Sequence, residues 1–192
     1  LDRVDGVLYT HHHADHILGL DELRIFGFVH GISIPLYGLP STMDAIRHTF
    51  EYAFDNNAHG VPRIDVNTFD GPFNLRGVHV IPIPVLHDRI TISAYRIGNF
   101  AYVTDCSGIP DASAEMLHGV DILVIGALKR NTHPKHFNLD DALFEIERLK
   151  VGSAYLTHLS HEFEHEELEK ELPENVHVAY DGLVLEADET LT

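Results

Sequence analysis

Val7-Leu8-Tyr9-Thr10-His11-His12-His13-Ala14-Asp15-His16-Ile17-Leu18-Gly19-Leu20 is the stretch whose reading decides the fold. Val7, Leu8 and Tyr9 form a short apolar run that reads as a strand. The residues after Gly19-Leu20 read as a helix, so the histidines sit on the loop between a strand end and a helix start. His11, His13, Asp15 and His16 are four good metal ligands within six positions. They cannot all reach one ion without strain, but they can serve two neighbouring ions. His11 and His13 alternate to one side, while Asp15 and His16 turn to the other. Imidazole together with carboxylate suits zinc, manganese or iron better than calcium, which takes only oxygen. A polyhistidine tag is the bland alternative, but Ala14 and Asp15 interrupt the run and a strand leads into it. The stretch reads as a metal site.

Length and charge bound the rest. At 192 residues the chain reads as one domain, 1–192, large enough for a proper core. The richest apolar run, Val78 to Leu86, is short and broken by Pro82 and Pro84, so no membrane span is expected. The single cysteine, Cys106, excludes an internal disulfide and favours a reducing, cytoplasmic location. A net charge of −17 repels nucleic-acid backbones at long range, which disfavours an extended nucleic-acid interface. It does not exclude a small anionic substrate, because bound ions dominate the field inside a cleft.

Along the chain no repeat or linker appears. Asp21 to Phe28 reads as a helix and Ile34 to Tyr37 as a strand; Ser41 or Thr42 is expected to cap a helix running to about Phe54. Asp55 to Asp70, polar and carrying Gly60 and Pro62, reads as an irregular excursion. Val78 to Val85, Thr91 to Ile97 and Phe100 to Thr104 read as strands, with Gly98-Asn99 as a tight turn. A βαβα series comes next: helix 112–117, strand 122–125, helix 139–150, strand 154–156 and an acidic helix within 161–174. Val176 to Leu185 reads as a hairpin turning at Asp181-Gly182. Strands first and βαβα after implies two layered sheets flanked by helices, an α/β fold.

The pattern His11-x-His13-x-Asp15-His16 at a strand end, followed by Gly19-Leu20, resembles the signature of the metallo-β-lactamase superfamily of hydrolases, and later motifs come in the family's order. The resemblance implies an αββα sandwich with a dinuclear metal centre. Few residues precede the first strand, so the first sheet is expected to lack the family's N-terminal strands. His87 ends a strand where a side chain can project into a cleft; Asp105 and His158 end two more. On their own, His87 would be a surface residue and Asp105 a turn cap. With the family in view, His11, His13 and His87 hold one ion, Asp15, His16 and His158 the other, and Asp105 bridges both. Two divalent ions, zinc or manganese, roughly 3.5–4 Å apart would yield a metal-bound hydroxide at neutral pH. Cys106 follows Asp105 rather than replacing it, which points away from lactam hydrolysis.

Thr132-His133-Pro134-Lys135-His136-Phe137-Asn138-Leu139 resembles the loop in which phosphodiesterases of the superfamily carry a general acid, here His136, with His133 the alternative and a helix-capping loop the bland reading. Asp15 is assigned a catalytic role besides its ligand role. Together with Tyr102 to Asp105 and Tyr155 to His161, these motifs resemble the group containing the phosphoribosyl 1,2-cyclic phosphodiesterase, a cousin of the tRNA 3′-processing endonucleases. The implied activity is hydrolysis of a small cyclic or nucleotide-like phosphodiester; the alternative is a metal-dependent ester, thioester or lactone hydrolase. The partner is then a small anionic phosphodiester or nucleotide, with no membrane, and a homodimer is compatible. His161 is taken as an outer contact on one helix face with His165, which is left as a surface residue.

Overall fold

The computed structural model describes residues 2–55 and 59–188. The chain divides into two compact units, Leu1–Gly77 and Val78–Thr192.

In the first unit, strand β1 (Val7–Leu8) pairs in parallel with β2 (Ile34–Gly38), and β2 with β3 (Ile64–Thr68), a three-stranded sheet of order β1-β2-β3. Between β1 and β2 lie helix α1 (Ala14–Ile17), a 3₁₀ turn (Leu18–Glu22) and α2 (Leu23–His30), which Gly31 ends in the left-handed conformation at φ 64°. Helix α3 (Pro40–Thr49) follows β2, and a 3₁₀ turn (Glu51–Phe54) follows α3. Ile34, Leu36, Met43 and Ile46, each 0–1% exposed, centre the core of this unit. A further strand, β4 (Phe73–Leu75), stacks Phe73 on Tyr37 at 4.7 Å between ring centroids.

The second unit carries six strands in the order β10-β9-β8-β7-β6-β5. They are β5 (Val78–His87), β6 (Ile90–Ile97), β7 (Phe100–Val103), β8 (Ile122–Gly126), β9 (Ser153–Thr157) and β10 (Val176–Val178). β5, β6 and β7 are antiparallel neighbours, whereas β7, β8, β9 and β10 run parallel. The change of pattern follows from the connections. Tight turns join β5 to β6 and β6 to β7, and helices α4 (Asp111–Leu117) and α5 (Leu139–Leu149) cross over between parallel strands. A third helix, α6 (His165–Glu171), precedes β10. The parallel strands turn one apolar face into the core: Leu123, Ile125, Ala154 and Leu156 are fully buried.

Several expectations need correction. The polar segment after Asp55 is not wholly irregular, since Ile64–Thr68 forms β3 on the edge of the first sheet; part of the expected excursion, 56–58, lies outside the described residues. Neither Ser41 nor Thr42 caps a helix: Pro40 opens α3 with Leu39 as N-cap, because proline's fixed φ suits the first turn. That helix stops at Thr49. The acidic helix spans only His165–Glu171, capped by the Glu164 side chain, so His161 precedes it and the two histidines do not share a helix face. The C-terminal hairpin does not form. Asp181-Gly182 does turn, with Gly182 at φ 92°, but Val176–Val178 pairs in parallel with β9. The chain beyond the turn instead reaches Asn99, whose side-chain oxygen accepts from the Asp188 N–H at 2.9 Å.

Replacing Ile125, fully buried in the middle of β8, by alanine is expected to cost about 2–5 kcal/mol through lost burial and the cavity left behind. Urea unfolding read by circular dichroism checks this.

Candidate metal centre

The donors of the first unit come from the turn between β1 and α1. The Tyr9 N–H still donates to the Tyr37 carbonyl at 2.8 Å, continuing the pairing past Leu8, and the chain then leaves the sheet. His11 is 1% exposed, whereas His12, one residue on, points out to solvent, as the expected alternation requires. His11 Nδ1 lies 3.1 Å from the Thr10 hydroxyl, and its Nε2 lies 2.9 Å from His13 Nδ1. His16 packs its ring 4.3 Å from that of His11 and places Nε2 3.2 Å from the Asp15 carboxylate. The His16 N–H donates to the His13 carbonyl at 3.0 Å, the bond that opens α1.

The donors of the second unit hang from strand ends. His87 closes β5 and is 2% exposed. Its Nδ1 lies 2.9 Å from the Lys135 carbonyl; a carbonyl only accepts, so Nδ1 carries the proton and Nε2 keeps its lone pair. Asp105, also 2% exposed, follows β7, and the Thr104 hydroxyl donates to its Oδ1 at 3.0 Å. His158 follows β9 with Nδ1 3.4 Å from the same Oδ1. Asp105 and His158 both adopt left-handed backbone, at φ 55° and 57°. That conformation costs a non-glycine residue roughly 1–3 kcal/mol and turns the side chain sharply out of the strand direction.

His136 joins this group from the loop between β8 and α5. Its Nδ1 stands 3.7 Å from Asp105 Oδ2, and its ring stacks on His158 at 5.2 Å and meets His87 edge-on at 4.9 Å. Burial drives the His136 imidazole down to about 4, against the upward pull of Asp105, with His87, His158 and His133 adding to the downward push. The loop is fastened at both sides: Phe137 N–H donates to the Cys106 carbonyl at 2.6 Å and Leu128 N–H to the Phe137 carbonyl at 2.9 Å. A capping box closes it, Asn138 Oδ1 accepting from Asp141 N–H at 2.8 Å while the Asp141 carboxylate accepts from Asn138 N–H at 3.3 Å.

Burial pushes the Cys106 thiol up to about 12, and its Sγ is turned to the Gly108 carbonyl at 3.2 Å, so it offers no thiolate to a metal. His161 and His165 both lie at the surface. The donor set suits divalent cations of the zinc and manganese type: imidazole nitrogens face one another in the first unit, and a buried carboxylate stands among imidazoles in the second. Sequence reasoning passed over the groups that aim these donors, namely Thr10, Thr104 and the Lys135 carbonyl. The two threonines stand directly before His11 and Asp105 in the sequence; a backbone carbonyl leaves no trace in sequence.

Residues 1–159 match the family model described as the beta-lactamase superfamily domain. The chain belongs to the beta-lactamase superfamily. A solved diphosphatase of the PhnP family is 39% identical, with a TM-score of 0.91 over all of this chain and 75% of that one. The short form of human tRNase Z, at 18% identity and a TM-score of 0.72 over 96% of this chain and 80% of that one, shares the metallo-β-lactamase fold. An octanoyltransferase of Porphyromonas gingivalis is 34% identical over 98% of this chain; the chain spans 39% of that relative's length. Among the described residues no helix is long and apolar enough to cross a membrane.

Asn138→Ala is expected to remove the cap of α5 at a cost of about 0.5–2 kcal/mol, seen as a lower melting temperature.

Proposed function

We propose that the chain is a metal-dependent hydrolase of small phosphodiesters, cyclic or nucleotide-like, working at a dinuclear centre. In this reading His11, His13 and His87 hold one ion, Asp15, His16 and His158 the other, and Asp105 serves both. The observation that carries it is the placing of His136, half-buried against Asp105 yet fixed by a loop of its own. A carbonyl hydrolase has no necessary use for such a group, whereas a phosphodiester with an alkoxide leaving group needs a proton. The 39% identity to a PhnP-family diphosphatase supports phosphoryl chemistry. Cations bound there would acidify water and neutralise charge on phosphoryl oxygens.

The chain's own residues then divide the work. Asp15, the exposed carboxylate of the first cluster, orients the attacking water and takes up its proton. His136 delivers a proton to the departing oxygen. A phosphate brought within contact supplies negative charge that favours the imidazolium. Thr104 and the Lys135 carbonyl keep Asp105 and His87 in place throughout. The acyl chemistry in the name of the longer relative favours a second reading, hydrolysis of an ester or thioester, in which His136 is dispensable.

Metal analysis is expected to find two divalent ions per chain. Asp105→Ala should deplete both, and His11→Ala should chiefly deplete one; a stoichiometry of one in protein never exposed to chelator counts against the centre.

Turnover of bis(p-nitrophenyl) phosphate, set beside thioester and lactone substrates with Mn²⁺ and Zn²⁺, separates the two readings. His136→Ala should keep its metals yet lose about 10²–10⁴-fold on an alkyl diester, and far less on p-nitrophenyl esters, whose leaving group departs unaided. Equal losses on both would assign His136 a structural role.

A further inference from the structure

The two most deeply buried donors of the second unit come from strands that are not paired with each other. His87 closes β5 and Asp105 follows β7, but β6 stands between β5 and β7 in the sheet. The ladder from β6 to β7 covers only Phe100 to Ile97 and Tyr102 to Tyr95, whereas that from β6 to β5 runs on to His87. Toward the edge that carries the donors, the β5–β6 hairpin and β7 have therefore separated. Sheet pairing alone leaves the distance from the imidazole to the carboxylate unfixed.

Ser107 supplies the tie. Just past Asp105 the chain folds alongside the last residues of β5, where Leu86 N–H donates to the Gly108 carbonyl at 2.9 Å and Ser107 N–H donates to the Leu86 carbonyl at 2.7 Å. The Ser107 hydroxyl adds two contacts: it donates to the Leu86 carbonyl at 3.2 Å and accepts from Asp88 N–H at 2.8 Å. A hydroxyl can do both at once, and a side chain without one can do neither. One serine thus grips the residues on either side of His87. The grip acts where the backbone is strained, since Asp88 and Asp105 both stand in left-handed backbone at φ 55°. The His87 ring is held separately, by the Lys135 carbonyl at 2.9 Å. Ring orientation and main-chain position of one donor are therefore set by two different segments, and the second of these carries Asp105.

We propose that Ser107 is a positioning residue of the centre: it clamps the main chain at Leu86 and Asp88 to the Asp105 loop and so sets His87 at the distance from Asp105 at which both serve one ion. The inference rests on the reading of His87 and Asp105 as ligands, and Ser107 itself acts only through them. With the hydroxyl removed, the bond from Ser107 N–H to the Leu86 carbonyl remains, so the fold stands. Asp88 N–H loses its acceptor, and the end of β5 gains freedom. The ion held through His87 then feels the loss, and the ion held by Asp15, His16 and His158 feels it far less.

Calorimetric titration of the metal-free chain with Zn²⁺ tests this. Ser107→Ala is expected to weaken one ion about ten-fold and to leave the other within about three-fold. Ser107→Thr, which restores the hydroxyl, should recover the wild-type affinity. With Co²⁺ as the probe, the visible bands of one site alone should shift in Ser107→Ala. Ser113→Ala is the control, because its hydroxyl donates to the Pro84 carbonyl on the same strand but short of His87. Its loss should lower the melting temperature with both affinities unchanged. Equal weakening of the two ions, no weakening, no rescue by threonine, or the same split in Ser113→Ala overturns the assignment. Hydrogen exchange in the metal-free protein reads the clamp by itself: Asp88 N–H should exchange about ten-fold faster in Ser107→Ala, while amides of β8 keep their rates. An unchanged Asp88 rate overturns the clamp whatever the metals do. A wild-type chain that takes up fewer than two ions strikes the dinuclear reading instead, and the exchange rates then decide the clamp.

Discussion

The in-register parallel pairing of β7, β8 and β9 is the constraint on which the second unit's chemistry depends. Parallel strands all finish at the same edge of a sheet, so Asp105 after β7, the His136 loop after β8 and His158 after β9 are delivered side by side. β5 is antiparallel to β6, which is antiparallel to β7, so β5 points the same way and His87 arrives at that edge too. Ligands of open α/β sheets bind at the carboxyl ends of strands for this reason. The apolar strand interiors hold the register; the polar residues begin where the strands stop.

Burying the Asp105 carboxylate and the His87 imidazole at a sheet edge has a cost, and the local structure shows how it is met. Left-handed backbone at Asp105 and His158 stores strain that only a well-packed surround can hold. The fully buried residues of β7, β8 and β9 supply that surround. The threonine before Asp105 satisfies one carboxylate oxygen, and a main-chain carbonyl fixes the His87 ring. Such contacts restrict these side chains to one geometry, which lowers the freedom that would be lost on binding an ion.

Much of this was legible in the residues. Periodicity gave the strands of the second unit and its two long crossovers, because buried parallel strands are continuous apolar runs and α5 begins at a strong cap, Asn138. The positions of His87, Asp105 and His158 at strand ends were readable for the same reason, since each terminates an apolar run. Local chemistry misled where longer-range pairing overruled it. Ile64–Thr68 does alternate, with Ile64 and Val66 against Asp65 and Asn67, but so short a run in a polar segment carrying Gly60 and Pro62 is overshadowed, and it is a strand because β2 offers it an edge. The segment after Asp181-Gly182 has a hairpin's turn but not its partner, since β10 is spent on β9 in parallel and the tail goes to Asn99. The depressed imidazole of His136 was equally out of reach, because burial is a property of the packed chain.

The hydrogen bond from Phe137 N–H to the Cys106 carbonyl joins the residue after His136 to the residue after Asp105. Thermal displacements of the two side chains are therefore correlated: when the β7 end drifts, the loop drifts with it. The spread in their separation is then smaller than the sum of their individual excursions. An imidazole and a carboxylate tied in this way keep their distance without either being immobile.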